Sequence, residues 1–240
     1  VPQFDIHSDI SSLLDRHSFI NLINGDVDKK ILLYATGTAQ LSDSEPEIVK
    51  MIYSMIKNNE FDNPCQLLLR VHPRRNLSDF QDILNEPDVI LQTPGRQSDE
   101  FQDSGYIWES TSHDYNVLSN TLNHADVMIN VASTITIESC IFNTPVVNIG
   151  FDAGLKLDFN RSVVRHFQYS HYLDIIDSGG VKIAKSQDDL FNFINRYLNN
   201  PDSESEGRKK IVDNQCYYND GKSSDRLLRY IIDFTNQKSV

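Results

Sequence analysis

The chain has 240 residues, 39% of them apolar and 10% aromatic, which allows a buried core in one large α/β domain or two small ones. Its 34 acidic residues outnumber 22 basic ones for a net charge of -12, and this argues against a nucleic-acid groove, because phosphate backbones are bound through excess Lys and Arg. No run approaches the roughly 18 apolar residues of a membrane span and no signal segment opens the chain, so a soluble cytoplasmic protein is expected.

The first residues, Val1-Pro-Gln-Phe-Asp5, do not begin with Met, and the numbering is expected to start inside a longer polypeptide. Residues 1–25 read as a linker or amino-terminal extension, with weak helical periodicity from Ser8 to Ile23 and a turn at Asn24-Gly25-Asp26. Strands and helices then alternate. Ile31 to Ala35 is an apolar strand ending in Thr36-Gly37-Thr38, and Glu47 to Lys57 spaces Ile48, Met51, Ile52 and Met55 as one face of a helix. Gln66 to Val71 is a second strand, ending at His72-Pro73, and Asp88 to Leu91 a third. Gly95 to His113 is polar and long for a connection, so it is expected to be a functional or poorly ordered loop. A helix from about Asp114 to His124 leads to a strand from Asp126 to Val131, a helix over 134–142 and a strand from Pro145 to Ile149. A last strand and helix, Val181 to Ala184 and Gln187 to Leu198, precede helical stretches from Glu204 to Tyr218 and Ser223 to Phe234.

Strands apolar on both faces and separated by helices predict a doubly wound, Rossmann-like parallel sheet in residues 26–200, with residues 201–240 as carboxyl-terminal helices packing on that domain or crossing from it. Three cysteines, Cys65, Cys140 and Cys216, are odd in number and widely spaced, and read as buried thiols; no metal-ligand spacing joins the seven histidines.

In an open α/β sheet ligands bind beyond the carboxyl ends of the strands, which directs attention to Gly37 and Thr38, to Arg70, His72 and Arg74, and to Ser133 and Thr134. Ser133 and Thr134 suit a helix N-cap, where free N–H groups attract an anion, and Glu138 follows about one turn later, placed either for the helix dipole or for a ribose diol. Arg70-Val-His-Pro-Arg-Arg75 is the densest positive cluster, suited to a diphosphate, with Arg75 expected at the surface. His166 and His171 are candidates for a cleft or for packing, Asp126 for a strand start, and Asp220-Gly-Lys-Ser for a turn, because P-loop glycine spacing is missing. No catalytic residue can be assigned from spacing, and no metal site is expected.

The Arg-Val-His-Pro73 turn, the Ala125 to Thr134 strand and turn with Glu138 and Thr144-Pro-Val-Val147, and the terminal Asn219-Asp-Gly-Lys-Ser-Ser-Asp-Arg226 resemble the carboxyl-terminal half of GT-B-type transferases. The group is that of CDP-glycerol glycerophosphotransferases and surface-polysaccharide glycosyltransferases, with UDP-N-acetylglucosamine 2-epimerase more distantly similar. The resemblance covers about Ile31 to Ile232 and implies one half of a two-domain enzyme that works without a metal or other cofactor. It implies a UDP-, CMP- or CDP-linked donor, with His72, Ser133 and Thr134 on its phosphates and Glu138 on its ribose. The amino-terminal Rossmann domain, which supplies acceptor binding and commonly the base, has no counterpart in 240 residues. The chain by itself is therefore expected to be an incomplete, inactive half whose full enzyme works in the cytoplasm, with peripheral association at the inner membrane face open to it. Where the epimerase has Ser-Gly-Gly, this chain has Ser133-Thr134-Ile135, whose side chains occupy the space left open by glycine. A sugar-nucleotide epimerase and a non-catalytic assembly module stand as the alternatives.

Overall fold

A computed structural model describes residues 2–97 and 108–237. Its sheet has six strands, β1 (Lys30–Ala35), β2 (Cys65–Arg70), β3 (Val89–Gln92), β6 (Val127–Asn130), β7 (Val146–Ile149) and β8 (Lys182–Ala184), in the order β3-β2-β1-β6-β7-β8. Every pairing is parallel, with Leu32 opposite Leu67 on one side and Val127 on the other. Two further short strands, β4 (Arg96–Gln97) and β5 (Trp108–Glu109), pair antiparallel apart from it. They bracket the long polar connection, whose residues 98–107 lie outside the described residues.

The unbroken apolar runs are explained by helices on both faces. Leu32 and Tyr34 of β1 point to a core shared with α2 (Glu45–Lys57) and α6 (Gln187–Asn199), through Ile48, Ile52, Leu190 and Ile194. Their neighbours Ile31 and Leu33 point the other way, toward α1 (Arg16–Leu22), α3 (Ser112–His124), α4 (Ile135–Ile141) and α5 (Ser170–Asp177), through Phe19, Leu122, Ile137 and Ile175. This is the doubly wound, Rossmann-like sheet that the alternation predicts. Helix starts follow local chemistry: Asp15 caps α1, Ser186 caps α6, and Thr111 with Asp114 forms a capping box on α3. Asp126, at the start of β6, accepts from Arg16, Lys30 and the Ile31 N–H, tying three elements together at the amino edge.

The segment ahead of β1 is packed rather than loose. A 3-10 turn over Pro2–Ser8 buries Phe4 and His7, the latter against Ser119 of α3 and Glu138 of α4. Helix α5 was not anticipated from the sequence: Tyr169 has no capping side chain, and the aromatic and His residues around it mask the periodicity.

At the carboxyl end, α7 (Ser205–Cys216) packs on α4, and its fully buried Arg208 donates to Asn143 Oδ1, in the turn after α4, at 2.8 Å and to the Ser203 and Pro201 carbonyls. Gly207 crosses Gly180 so closely that a Cβ on either would fall within 2.4 Å of the other segment's backbone. α8 (Ser223–Gln237) is held at its start by Asp5, which accepts from the Ser223 N–H at 2.8 Å, and its apolar residues Leu227, Tyr230, Ile231 and Phe234 are solvent-exposed. All three cysteines are buried and none is in a disulfide among the described residues, and burial pushes the thiols of Cys65 and Cys140 up to about 12. Among the described residues no helix is long and apolar enough to cross a membrane.

Candidate functional site

The chain leaves β3, crosses over the sheet and re-enters it as β6 beside β1, so the winding direction reverses between β1 and β6. Strand ends diverge at such a switch point and open a crevice. A cavity of about 270 Å³ lies there, formed by residues that follow four strands: Thr36 after β1, Arg70 to Pro73 at the end of β2, Pro94 after β3, and Ser133 to Ile135 after β6. Glu138 of α4 and Asp114 and Tyr115 of α3 complete its wall. Arg70, His72, Ser133, Thr134 and Glu138, scattered over 69 positions of sequence between first and last, thus meet in one place.

Arg70 is 9% exposed, and its guanidinium donates to Gln92 Oε1 at the end of the neighbouring strand. Burial lowers its pKa to about 10, while the carboxylates of Glu138 and Asp114 work to raise it. It is a cation at neutral pH, oriented from behind and facing two acids across the cavity. His72 is half-buried and held at two points. Its N–H donates to Thr36 Oγ1 at 2.8 Å, and its Nδ1 accepts from the Arg74 N–H at 3.0 Å. With Nδ1 used as an acceptor, the proton of the neutral ring resides on Nε2. Burial, followed by the charges of Arg74 and Arg70, depresses the His72 pKa below its ordinary value, so the ring is neutral at pH 7 and offers an N–H.

Thr134 occupies the N-cap of α4 in a helical conformation and makes no side-chain cap bond. The hydroxyls of Ser133 and Thr134 have no partner among the described residues. Glu138 is fixed by His7, whose Nε2–H donates to Oε1 at 3.1 Å; the ring's Nδ1 lies 2.9 Å from Ser119 Oγ. That leaves Glu138 Oε2 with no partner among the described residues, on a side chain of the cavity wall. Burial acts to raise the Asp114 pKa, but hydrogen bonds from the Thr111 hydroxyl and N–H and from the Gly95 N–H outweigh it and hold the carboxyl below its ordinary range.

The other sequence candidates lie elsewhere. Gly37 and Thr38 are not part of the cavity wall; the Gly37 N–H donates to both oxygens of Glu45, at 2.9 and 3.1 Å. Arg74 is exposed outside the wall and contributes through its N–H to His72. Arg75, expected at the surface, is instead buried: it pairs with Glu45 Oε2 at 2.6 Å, reaches Asp79 at 3.2 Å and lies over the Phe80 ring. The reason is local geometry. The Arg75 N–H donates to the His72 carbonyl, closing a turn that swings the side chain back under the sheet edge toward an acid on α2. Burial pushes the Glu45 carboxyl up to about 7, against the Gly37 N–H, Arg75 and the Tyr34 hydroxyl.

Thr36, Asp114 and Tyr115 belong to the wall and carried no sequence signal beyond following a strand or opening a helix. His166 and His171 line a second cavity of about 510 Å³ on the far side of the same Ser133–Thr134 turn, with Tyr169 and Gln215. His166 is buried and donates from Nε2 to the Leu41 carbonyl at 2.9 Å. Among the described residues no group of three or more His, Cys, Asp or Glu side chains is arranged to hold a metal ion.

The fold is similar to that of several solved enzymes. A variant of the wall teichoic acid polymerase TagF aligns with a TM-score of 0.57 at 17% identity over 100% of this chain and 52% of that one; the same variant soaked with CDPG for 30 minutes aligns at 0.52 and 18%, over 99% and 50%. The S. aureus protein MnaA, solved with UDP, aligns at 0.57 and 15%, over 97% and 52%. The UDP-GlcNAc 2-epimerase of Neisseria meningitidis, bound to UDP-GlcNAc, aligns at 0.55 and 12%, over 91% and 49%. The chain therefore spans about half the length of the structures it matches. No curated protein is a significant sequence match. A sequence model of the CDP-glycerol:poly(glycerophosphate) glycerophosphotransferases, however, matches residues 24–233, which include every strand of the sheet and every side chain of the cavity wall. With that span and this fold, the chain belongs to the CDP-glycerol:poly(glycerophosphate) glycerophosphotransferase family.

Proposed function

We propose that this chain is the donor-binding half of a transferase that moves a glycerophosphoryl or glycosyl group from a nucleotide-activated donor during synthesis of a surface polymer. One observation carries the reading: a cation, a neutral imidazole N–H, two hydroxyls with no partner among the described residues and a fixed carboxylate converge on one cavity at the switch point. Arg70, His72, Ser133 and Thr134 suit a diphosphate, and Glu138 Oε2 suits a ribose diol. When the donor bond breaks, negative charge builds on the departing nucleotide, and donors already aimed at it stabilise that charge without reorganising. In this reading the charge is met by Arg70 and by N–H and O–H donors, and no metal or other cofactor is called on.

Family membership and the similar TagF structure soaked with CDPG favour a CDP-linked donor over a UDP- or CMP-linked one. Because the chain spans half of its structural neighbours, we assign acceptor binding and the catalytic base to a second, amino-terminal α/β domain, and expect the 240 residues by themselves to bind donor without transferring it. We infer that the full enzyme works in the cytoplasm, with peripheral association at the inner membrane face open to it.

Titration calorimetry with CDP-glycerol, CMP and UDP-N-acetylglucosamine tests this. CDP-glycerol is expected to bind, and the Ser133→Ala/Thr134→Ala variant to bind it at least tenfold more weakly. Failure of all three to bind, or an unchanged variant, overturns the reading. Acceptor-free turnover of UDP-N-acetylglucosamine by the longer protein would move it to the epimerases.

A further inference from the structure

Below the Ser133–Thr134 turn lie four polar side chains in a place that the fold elsewhere fills with aliphatic groups. Asn130 ends β6, Asn148 sits opposite it on β7, Thr136 is in the first turn of α4, and Tyr172 comes from α5. Asn130, Thr136 and Asn148 have no solvent exposure, and Tyr172 has 4%. They bond mainly to each other. Asn148 Nδ2 donates to Asn130 Oδ1 at 2.5 Å and the Tyr172 hydroxyl donates to Asn148 Oδ1 at 3.0 Å. Thr136 Oγ1 lies 3.1 Å from the Tyr172 hydroxyl and 3.2 Å from Asn130 Nδ2.

A buried polar set of this kind is not needed for stability, since apolar groups of matching shape could replace it at little net cost. What directional bonds add is geometry: each member is satisfied only in one arrangement, and leaving one unpaired is unfavourable. The network grips the turn at two points, the strand that enters it and the helix that leaves it. We infer that Asn130, Thr136, Asn148 and Tyr172 are positioning residues that hold the Ser133–Thr134 turn in the conformation it presents to an anionic ligand. The inference rests on the donor-site reading for the identity of that ligand, and on geometry alone for the ordering of the turn.

Tyr172→Phe removes one oxygen and Thr136→Val removes one hydroxyl at constant shape, whereas Thr136→Ser keeps it. Two measurements on the 240-residue protein separate the possibilities. In hydrogen exchange without ligand, amides of residues 131–136 are expected to exchange at least tenfold faster in Tyr172→Phe and Thr136→Val, while those of β1 and β2 match the parent and Thr136→Ser behaves as the parent does. In calorimetry, the same two variants are expected to bind CDP-glycerol five- to twentyfold more weakly and to leave binding of cytidine, which has no phosphate, at the parent value. Unchanged exchange at 131–136, or a uniform rise across the sheet, overturns the inference whether or not a nucleotide binds. Equal losses for cytidine and CDP-glycerol also overturn it. If the parent binds no nucleotide but the local exchange effect is present, the donor-site reading fails and the ordering role stands.

Discussion

Two neighbouring turns at the carboxyl edge of the sheet look alike in sequence and differ in what they leave open. After β1, Thr36-Gly37-Thr38 leads toward α2; after β6, Ala132-Ser133-Thr134 leads into α4. At the first turn the protein supplies its own anion. Glu45 takes the Gly37 N–H on both oxygens and is matched from below by Arg75. At the second turn the two hydroxyls have no partner among the described residues, and both residues line the cavities on either side. A small polar turn after a strand is thus a place where an anion can bind, and residues distant in sequence decide whether that anion is a ligand or a side chain.

The largest effect expected from breaking this contrast comes at the first turn. Arg75→Ala leaves a carboxylate with 0% side-chain exposure unpaired, and truncating one partner of a buried pair costs about 3–5 kcal/mol; urea unfolding at pH 8 measures it. The pH dependence follows from Glu45. Its folded-state pKa is raised to about 7, above the roughly 4.3 of an unfolded chain, so its contribution to stability is fully present below the unfolded value and is lost as pH rises through about 7. In Arg75→Ala the carboxyl has lost its cation, so the loss should extend to higher pH and the variant should recover part of its deficit at pH 6.

At the second turn, Ser133→Ala/Thr134→Ala removes two hydroxyl donors, each contributing roughly 0.5–1.5 kcal/mol net. Donor affinity is expected to fall about 10- to 100-fold by calorimetry at an almost unchanged unfolding midpoint. A loss of stability equal to that of Arg75→Ala would erase the distinction between the two turns.

A smaller effect is expected at His72. Its depressed pKa makes it neutral in the free protein at pH 7, and a bound diphosphate favours the protonated ring, so binding takes up a proton and affinity for CDP-glycerol should rise severalfold from pH 8 to pH 6. His72→Gln should bind with no such slope. The proton count, from calorimetry in buffers of different ionisation enthalpy, checks the assignment.

The smallest effect sharpens the contrast most. A Cβ added at Gly37 would meet nothing closer than 3.8 Å, and the residue is not in the left-handed region. Gly37→Ala should therefore leave CDP-glycerol affinity unchanged and alter stability by less than about 1 kcal/mol, toward stabilisation through the unfolded chain. A tenfold loss of affinity in this variant would show that a ligand uses the first turn after all.

How much could be read without the structure follows from the range of each interaction. The strands are legible because both faces of a parallel sheet are covered, and Ile31 to Leu33, Leu67 to Leu69 and Val127 to Ile129, all with 0% exposure, therefore form continuous apolar runs. The helices with caps or clean periodicity, α2, α3 and α6, fall within about two residues of expectation at each end. Helix α5 was missed because Ser170-His-Tyr172 follows an aromatic stretch with no cap. Of the candidate site, the residues just beyond strand ends were found because the edge of the sheet is where ligands bind. Arg74 and Arg75 are adjacent and chemically alike, yet one is exposed and the other buried, and the difference is set by Glu45, thirty positions before Arg75.

By itself, then, the sequence determined the elements, the sheet type and the strand ends that bear polar groups, because these follow from near-neighbour periodicity and from burial on two faces. Only the tertiary structure decided which polar groups remain open. His7 is brought to Glu138 across 131 positions, Tyr172 to Asn148 across 24 and Glu45 to Arg75 across 30. Each of these partners satisfies a group that would otherwise face a ligand or holds one in place for it, and no local pattern encodes who pairs with whom once the chain has folded.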